Sequence, residues 1–366
     1  MIKKSDKSIF ENLLKPLSDA RGASGFEHEI SALVAKQAAS YGLVERDQMQ
    51  NVYISRADNG TGPRLLLDAH LDEVGFIVQA VLENGTLAIL PLGGWVASNV
   101  PGHRFQVRTK DGSWIIGITA SKPPHFMSEA ERAQGVKLEQ IVLDVGAMSR
   151  EEAIKEFGIG IGLPVVPAVE CEYDEKNDLL IGKAFDCRLG CAAILATLES
   201  LRGEVLPAEI IAAFSTQEEL GLRGAEVVSK KVEPDLAIVF EGAPADDTFM
   251  PNDRVQTAIG KGPMLRHFDR KMVTNPAFQQ WVLDLAAELD IPVQPGVRSG
   301  GATNGGVFHL SATATPTIVL AVPVRYIHSF YGIAKLADFK ALVRLAVAVI
   351  RRIDGDFLDN LSSYFS

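Results

Sequence analysis

The first part of the chain alternates between segments that predict helices and apolar runs that predict strands. A breaker, Gly22-Ala23-Ser24-Gly25, separates the two predicted helices, and Ser24 and Glu27 fit a capping box at the start of the second. The run RLLLDA has three consecutive leucines and no alternation of polar and apolar residues, as in strands buried on both faces of a sheet. The predicted helices are Ile9–Leu17 and Glu27–Tyr41, and the predicted strands are Asn51–Arg56 and Arg64–Ala69.

From about Glu73 to Pro164 the pattern changes to short β-type runs. Turn-forming pairs such as Asn84-Gly85 and Asp111-Gly112 separate these runs. The segment therefore reads as a small all-β unit with one short helix near Arg150–Phe157. Its predicted strands are GFIVQAVL, TLAIL, HRFQVRT, SWIIGIT and QIVLDVG.

After Pro167 strands and helices alternate again, which is typical of helices packed around a largely parallel sheet. We therefore predict an α/β fold, a three-layer sandwich with a mostly parallel central sheet. Residues 1–73 and 165–366 would form this unit, and residues 74–164 an inserted β-barrel-like domain. The elements predicted after Pro167 are helices Arg188–Leu201, Gly224–Lys231, Pro276–Leu289 and Asp338–Arg352 and strands Glu209–Phe214, Leu236–Phe240 and Thr317–Ala321.

Composition and charge narrow the classes of partner. The 366 residues contain 36 Lys and Arg against 46 Asp and Glu, a formal charge of −10. Nucleic acids and anionic membranes require concentrated basic residues, so neither is an expected partner. Net charge alone leaves open whether the protein takes an acidic substrate.

The chain also gives indications of its compartment. It begins MIKKSDKSIFENLL, without the apolar core of a signal peptide. No window reaches the roughly 18 apolar residues of a membrane span. The three cysteines, Cys171, Cys187 and Cys191, are too few and odd in number for a disulfide framework. We expect buried free thiols and a cytoplasmic protein.

Several residues that could carry chemistry follow the predicted strands. His70 and Asp72 come after RLLLDA, and a metal-binding His commonly has its second ring nitrogen held by a carboxylate. The pair could also be a core histidine beside a surface aspartate. Asp186 precedes a helix and suits either an N-cap or a bridge between two ions. Glu218 and Glu219 follow the strand EIIAAF. They could be a helix N-terminal pair, or one could bind metal while the other handles protons.

The strongest indication is the combination of these residues with two further ones. Glu241 follows the strand LAIVF, and His328 follows the strand near the C-terminus. In open α/β sheets, ligands bind at the carboxyl ends of the strands. Two imidazoles and three carboxylates at such ends suit two divalent ions joined by one carboxylate. The set is His70, Asp186, Glu219, Glu241 and His328.

The order of motifs resembles the dinuclear metallo-aminopeptidases of the glutamyl and tetrahedral aminopeptidase group, some of whose members are labelled cellulases or endoglucanases. The resemblance covers almost the whole chain. The segments GPMLRHFDR and FEGAPADDTF look closest to the glutamyl branch. The motifs are DAHLDEVGF (68–76), SKPPH (121–125), GKAFDCRLGC (182–191), STQEELGLRGA (215–225), VFEGAPADD (239–247), SGGATNGG (299–306) and RYIHS (325–329).

The resemblance implies a role for each candidate residue. It implies that His70 and Glu241 hold one metal ion and that Glu219 and His328 hold the other. It implies that Asp186 bridges the two ions. The ions expected are Zn²⁺, Co²⁺ or Mn²⁺, because His and carboxylate sites accept several metals.

Two more residues receive roles from the resemblance. Glu218 is expected to be the general base that takes a proton from the attacking water and returns it to the leaving amine. Asp72 is expected to orient His70.

The chain departs from the family pattern at three positions. Cys187 stands where relatives mostly have Asp or Asn, at a peptide bond that is often cis in this group. Glu241 replaces an Asp found in many relatives, although the glutamyl branch also has Glu, and Asn304 stands where relatives often have Asp. None of these changes removes an expected metal-binding side chain.

The resemblance also implies peptide substrates and an assembly, a tetrahedral dodecamer built through the inserted domain. An acidic N-terminal residue of the substrate would need a cationic partner in the pocket, preferably Arg. Arg266 and Arg270 lie in the glutamyl-like segment, and Arg298 precedes the Gly-rich loop. Each could equally be an ordinary surface arginine.

Two other functions compete with a metal-dependent aminopeptidase. A glycoside hydrolase would need two carboxylates flanking a sugar, which leaves the two imidazoles without a purpose. A catalytically silent oligomeric binding protein would result if Cys187 abolished metal binding.

Overall fold

A computed structural model describes residues 5–311 and 314–362 of the chain. The N-terminal lysines Lys3 and Lys4, part of the argument against a signal peptide, lie outside these residues. Within the described ranges, no helix is both long and apolar enough to cross a membrane.

The helices are numbered in chain order, and residues Phe10–Leu14 form a π-helical turn between the first two. Short 3₁₀ turns lie at Ala97–Asn99, Pro124–Phe126, Leu138–Gln140 and Asn252–Arg254. The helices are α1 (Asp6–Ile9), α2 (Lys15–Asp19), α3 (His28–Ala38), α4 (Glu129–Gln134), α5 (Arg150–Lys155), α6 (Phe185–Ser200), α7 (Arg223–Val232), α8 (Pro276–Glu288), α9 (Gly305–Phe308), α10 (Leu336–Ile350) and α11 (Phe357–Ser362).

The strands are likewise numbered along the chain. They are β1 (Gly42–Arg46), β2 (Val52–Arg56), β3 (Arg64–His70), β4 (Gly75–Val81), β5 (Leu87–Leu92), β6 (Arg104–Arg108), β7 (Trp114–Ala120), β8 (Val142–Asp144), β9 (Pro164–Pro167), β10 (Glu172–Asp174), β11 (Leu179–Gly182), β12 (Glu209–Ser215), β13 (Leu236–Pro244), β14 (Met264–Phe268), β15 (Gln294–Val297), β16 (Thr317–Val324) and β17 (Gly332–Lys335).

The central sheet has eight strands in the order β1-β2-β12-β3-β13-β16-β14-β15. The four middle strands, β12, β3, β13 and β16, are mutually parallel. β2 and β14 flank them in antiparallel orientation. Because parallel strands end at the same edge, the residues that follow β12, β3 and β16 emerge on one side of the sheet.

Helices cover both faces of this sheet. Successive side chains of β3 pack against different helical layers, since successive residues of a strand point to opposite faces of the sheet. Leu65 and Leu67 belong to the larger core with helices α6 and α10. Leu66 belongs to the smaller core with α7 and Phe308 of α9. This confirms the predicted three-layer α/β sandwich with a mostly parallel sheet.

The second body of structure is a closed barrel of strands in the order β4-β5-β8-β7-β6-β9. Its core includes Phe76, Val107 and Leu143, together with Phe330 from a loop near the C-terminus. The predicted barrel-like unit is therefore present. Its last strand, β9, pairs with β4 and β6. Treating residues 74–164 as a separate inserted domain stays a prediction.

Some local predictions were wrong. The capping box of Ser24 and Glu27 does not form, because Glu27 itself is the N-cap of α3 and no side chain caps that helix. Both side chains contact other segments, as described below. Glu241 does not end its strand, since β13 continues to Pro244. The three cysteines are buried and free, as predicted.

Candidate metal and catalytic site

The pairing of strands brings the first candidate residues together. His70 is the last residue of β3 and stands opposite Ser215, the last residue of β12. The loop that carries Glu218 and Glu219 therefore starts beside His70. On the other side of β3, Val239 of β13 pairs with Asp68. Glu241 and His70, each two residues further along, thus lie on neighbouring strands.

Asp186 reaches the same edge from the start of α6. The backbone of Asp186 and Cys187 is not helical, and the peptide bond between them is cis. Regular helix begins with Arg188, as the sequence predicted.

The last candidate, His328, lies in the loop between β16 and β17. It has a positive φ of 57°, as has Tyr326 with 60°.

The two imidazoles face opposite oxygens of the Asp186 carboxylate. Nε2 of His70 is 3.0 Å from Oδ1 of Asp186, and Nε2 of His328 is 3.4 Å from Oδ2. A carboxylate placed in this way can bridge two cations that each also meet an imidazole.

The remaining carboxylates are divided between the two imidazoles. Oε2 of Glu241 lies 3.7 Å from Nε2 of His70, and Oε1 of Glu219 lies 3.2 Å from Nε2 of His328. Oε2 of Glu218 is further away, 3.9 Å from Nε2 of His70. The potential ligand atoms fall into three groups whose members lie within 4.8 Å of one another. The groups are His70, Asp186, Cys187 and Glu241; His70, Glu218 and Glu219; and Asp186, Glu219 and His328.

The carboxylate of Asp72 contacts the loop that carries Glu218 and Glu219 more closely than it contacts His70. Its carboxylate accepts hydrogen bonds from the backbone N–H groups of Glu218 at 2.9 Å and Glu219 at 3.1 Å. The hydroxyl of Ser24 donates to the same carboxylate at 2.6 Å. Nδ1 of His70 donates to the backbone carbonyl of Asp72 at 3.1 Å. This leaves Nε2 of His70 directed into the site.

Glu27 supports the same loop from the N-terminal segment. Its Oε1 accepts from the backbone N–H of Gln217 at 3.0 Å and from that of Gly25 at 2.8 Å. Gln217 has a positive φ of 53°, a conformation that a non-glycine residue keeps only when its surroundings hold it. Burial raises the pKa of the Glu27 carboxyl to about 7.

A buried ion pair anchors the site from behind. Nζ of Lys183 lies 2.6 and 2.7 Å from the two carboxylate oxygens of Glu73, and both side chains are almost fully buried. Arg188 donates to the carbonyls of Leu71, Leu17 and Ala20. The end of β3, the N-terminal segment and the start of α6 are thereby joined.

Burial and mutual repulsion raise the pKa values of the central glutamates, whereas that of Asp186 is lowered. Burial is the main cause for Glu241, whose pKa rises to about 8, and it raises the pKa of Glu218 well above its ordinary value. Burial opposes the charged form of His328, but Asp186 and Glu219 outweigh it and raise the pKa of His328 to about 11. The pKa of Asp186 is lowered because burial is outweighed by the two imidazoles.

These residues fit divalent metal ions. Oε1 of Glu241 is buried without a hydrogen-bond partner among the described residues, and a buried unpaired carboxylate oxygen is costly. Imidazole and carboxylate are the ligands that zinc and related ions take in catalytic sites. A cation here would supply the missing partner and favour the ionised carboxylates.

The site opens into a cavity of about 1010 Å³. Two of the three predicted arginines line it, and both are already paired. Arg266 donates to Asp269 at 3.1 Å, and Arg298 donates to Asp246 at 2.6 Å. Arg270 is exposed and is not among the described residues that line the cavity.

Several residues of the site were missed by sequence reasoning. Cys187 belongs to a potential ligand group, although its thiol donates to the carbonyl of Phe240 at 2.9 Å. Ser24 and Glu27 were read as helix caps. Lys230 and Lys271 line the cavity, and among the described residues no carboxylate lies within 4.0 Å of either ammonium group. Lys271 directly follows the segment GPMLRHFDR (262–270), which looks closest to the glutamyl branch. This position was the signal by which the sequence could have indicated Lys271.

Comparison with known proteins identifies relatives over nearly the full length. The family model described as M42 glutamyl aminopeptidase matches residues 50–345. A glutamyl aminopeptidase of Lactococcus lactis subsp. cremoris (strain MG1363) is 32% identical over 96% of this chain and 98% of its own. A lysyl aminopeptidase of Pyrococcus furiosus is 30% identical over 93% of this chain and 96% of its own.

Solved structures agree with these relatives. The TET aminopeptidase of the archaeon Thaumarchaeota archaeon SCGC AB-539-E09 is 36% identical, with a TM-score of 0.92 over 98% of this chain and all of its own. The TET1 peptidase of Pyrococcus horikoshii, which can assemble into a tetrahedron or a large octahedral shell, is 26% identical. Its TM-score is 0.84 over 94% of this chain and all of its own.

Proposed function

The chain belongs to the M42 glutamyl aminopeptidase family, and from this premise we propose that it is a metal-dependent aminopeptidase using two divalent ions. One observation carries the proposal: two imidazoles face opposite oxygens of the single carboxylate Asp186. We assign His70 and Glu241 to one ion, Glu219 and His328 to the other, and Asp186 to both. Zn²⁺, Co²⁺ and Mn²⁺ all suit these ligands.

The chain's own residues supply proton transfer and orientation. When bound, the ions lower the pKa of water and polarise the scissile carbonyl. Glu218 is the general base: it accepts the proton of the attacking water and later delivers it to the leaving amine. Asp72 positions Glu218, because its carboxylate accepts a hydrogen bond from the backbone N–H of Glu218. The carbonyl of Asp72 fixes the tautomer of His70.

The activity is tested with peptide and p-nitroanilide substrates before and after chelation. We expect chelation to abolish hydrolysis of Glu-p-nitroanilide and added Zn²⁺, Co²⁺ or Mn²⁺ to restore it. Hydrolysis that survives complete metal removal would contradict the proposal. Activity on a cellulosic substrate alone would support a glycosidase instead.

We further propose that the preferred N-terminal residue is acidic. The relatives include both a glutamyl and a lysyl aminopeptidase at similar identity. Similarity to these relatives therefore does not indicate the preferred N-terminal residue, and the proposal rests on the charges that line the pocket. Arg266 and Arg298 are engaged with Asp269 and Asp246. Lys230 and Lys271 both line the cavity, and among the described residues no carboxylate lies within 4.0 Å of either ammonium group. Of the two, Lys271 directly follows the glutamyl-like segment 262–270. It is therefore our candidate partner for a substrate carboxylate.

The specificity proposal is tested with Lys271→Met. Loss of one charge-assisted contact should lower kcat/KM for Glu-p-nitroanilide roughly ten- to a hundredfold while leaving Leu-p-nitroanilide little changed. Lys230 lines the same cavity from α7, so Lys230→Met is the matched control. An equal loss on both substrates, or no loss, would reject Lys271 as the specificity residue.

Finally, we propose that the protein is a homo-oligomer that follows the tetrahedral assembly of its relatives. The support is the assembly stated for the Pyrococcus horikoshii peptidase and the apolar surface of the barrel. Ile116 and Ile118 of β7 are each 41% exposed, and Leu90 of β5 is 40% exposed.

A further inference from the structure

The barrel reaches the metal site through one aromatic residue. Phe330 lies two residues after His328 and is only 2% exposed, although its neighbours Ser329 and Tyr331 are less buried. Its ring stacks on His103 with centroids 4.0 Å apart and meets Phe105 edge-on at 4.8 Å. The ring of Trp95 also contacts Phe330, with centroids 5.5 Å apart. Phe330 is thus part of the barrel core rather than of the sandwich.

The loop that carries His328 is fixed at its base and at this aromatic contact. At the base, Arg325 and Ile333 exchange backbone hydrogen bonds of 2.9 and 3.2 Å. Arg325 also pairs with Asp247 through two hydrogen bonds of 2.9 and 2.7 Å. Between base and tip, Tyr326 and His328 both have positive φ. Non-glycine residues keep this conformation only when their surroundings over-determine it.

The imidazole of His328 is held differently from that of His70. Nδ1 of His70 donates to a backbone carbonyl, the usual arrangement for a metal-binding His. The polar contacts of His328 with described residues run through Nε2, to Asp186 and Glu219, and none of them holds Nδ1. The loop between β5 and β6 packs against the ring on that side, since a Cβ on Gly94 would lie 3.0 Å from Nδ1. Among the described residues, the contacts at this side of the ring are therefore packing contacts.

We propose that Phe330 is a positioning residue for metal binding. By inserting into the barrel core it fixes the loop so that His328 faces Asp186 and Glu219, and the barrel thereby sets the affinity of the ion that His328 holds. The inference rests on the proposed two-ion function. The aromatic contacts, the strained loop and the lack of a hydrogen bond at Nδ1 support it together.

The test measures metal affinity of the full-length protein after metal removal, by competition of Zn²⁺ with a chromophoric chelator. For Phe330→Ala we expect one ion to bind roughly 10- to 100-fold more weakly, the size of effect seen when the support of a ligand is removed, and the other ion to keep its affinity. His328→Ala serves as the reference and should weaken the same ion. Saturating Zn²⁺ should restore most turnover to Phe330→Ala.

Two further variants separate positioning from general stability. Phe330→Leu keeps an apolar side chain and should give a smaller loss than Phe330→Ala. Val107→Ala truncates a fully buried residue of the same barrel core and should lower the unfolding temperature without changing either affinity. Wild-type affinities in both Phe330 variants would overturn the inference, as would equal weakening of both ions. Wild-type protein that binds no Zn²⁺ would overturn the proposed function and this inference with it.

Discussion

Glu218 lies further from an imidazole than the other central carboxylates, although by little in one case. Its Oε2 is 3.9 Å from Nε2 of His70, whereas Glu241, Glu219 and Asp186 approach an imidazole to 3.7, 3.2 and 3.0 Å. Its pKa is raised well above the ordinary value by burial, and a nearby dication would lower it again. A raised pKa is compatible with the proton transfer that we propose for Glu218.

We therefore expect Glu218→Gln to keep the metal content and lose turnover by about 10² to 10⁴, the usual contribution of a general base. The amide keeps the shape of the side chain but cannot accept the proton. Steady-state kinetics and elemental analysis measure the two effects, with Glu226→Gln in the same cavity as the control. Turnover near that of the wild type would contradict the assignment of the base.

Lys183 offers a stability prediction at the same scale. Replacement by Met leaves the carboxylate of Glu73 buried and without its partner ammonium group, which typically costs about 3–5 kcal/mol. We expect a clear fall in the unfolding temperature of Lys183→Met in the metal-loaded protein. Lys155→Met removes an exposed pair with Glu151 and should have almost no effect. An equal change of unfolding temperature in the two variants would show that the buried pair contributes little to stability.

At the scale of elements, the loop between β5 and β6 forms one wall of the site. Gly94 carries no positive φ, yet a Cβ there would lie 3.0 Å from Nδ1 of His328. Gly94→Ala should therefore displace the imidazole and weaken one ion about tenfold or more in chelator competition. Gly300 also lines the cavity but has nothing within 4 Å of a built Cβ. Gly300→Ala should bind both ions normally, and a loss equal to that of Gly94→Ala would exclude the steric explanation.

The sequence predicted the elements well where burial on both faces makes a strand continuously apolar. The runs at β3, β12 and β16 are of this kind, and their observed bounds differ from the predicted ones by at most three residues. It failed at Glu241, because a charged residue inside an apolar strand looks like the strand's end. The register that places Glu241 beside His70 is a property of the assembled sheet.

The candidate ligands could be predicted because each follows an apolar run or stands close to a helix start. The residues that hold the site's segments in place could not be predicted. Ser24 and Glu27 contact segments far along the chain, and Phe330 packs on Trp95, His103 and Phe105, more than two hundred residues earlier. Such partners depend on folding of the whole chain, and only local spacing is visible in a single sequence.

On the scale of the whole molecule, the net charge of −10 does not indicate the charge inside the pocket. Four carboxylates that contribute to it, Asp186, Glu218, Glu219 and Glu241, meet at one site. Two divalent ions there would balance four negative charges. The charge of the cavity then depends on its other lining residues, which include Lys230, Lys271 and Glu226. The proposed preference for an acidic residue is therefore compatible with an overall acidic protein.

The barrel surface leads to a prediction about assembly. Exposed apolar patches of this kind mark interfaces, and β7 presents Ile116 and Ile118 side by side on one face. We expect the wild-type protein to elute in light scattering at twelve times the subunit mass of 39.5 kDa. The double substitution of Ile116 and Ile118 by Lys should give smaller species, because charged side chains cannot be buried in the interface without partners.

Val205 supplies the control for this experiment. It is 87% exposed and follows α6, outside the barrel, so Val205→Lys should leave the mass unchanged. Dissociation of the barrel variant with intact metal affinity would place the interface on β7 and separate assembly from the role of Phe330 inside the same barrel. A monomeric wild-type protein would contradict the assembly, and a dodecameric double variant would exclude this face of the barrel as its interface.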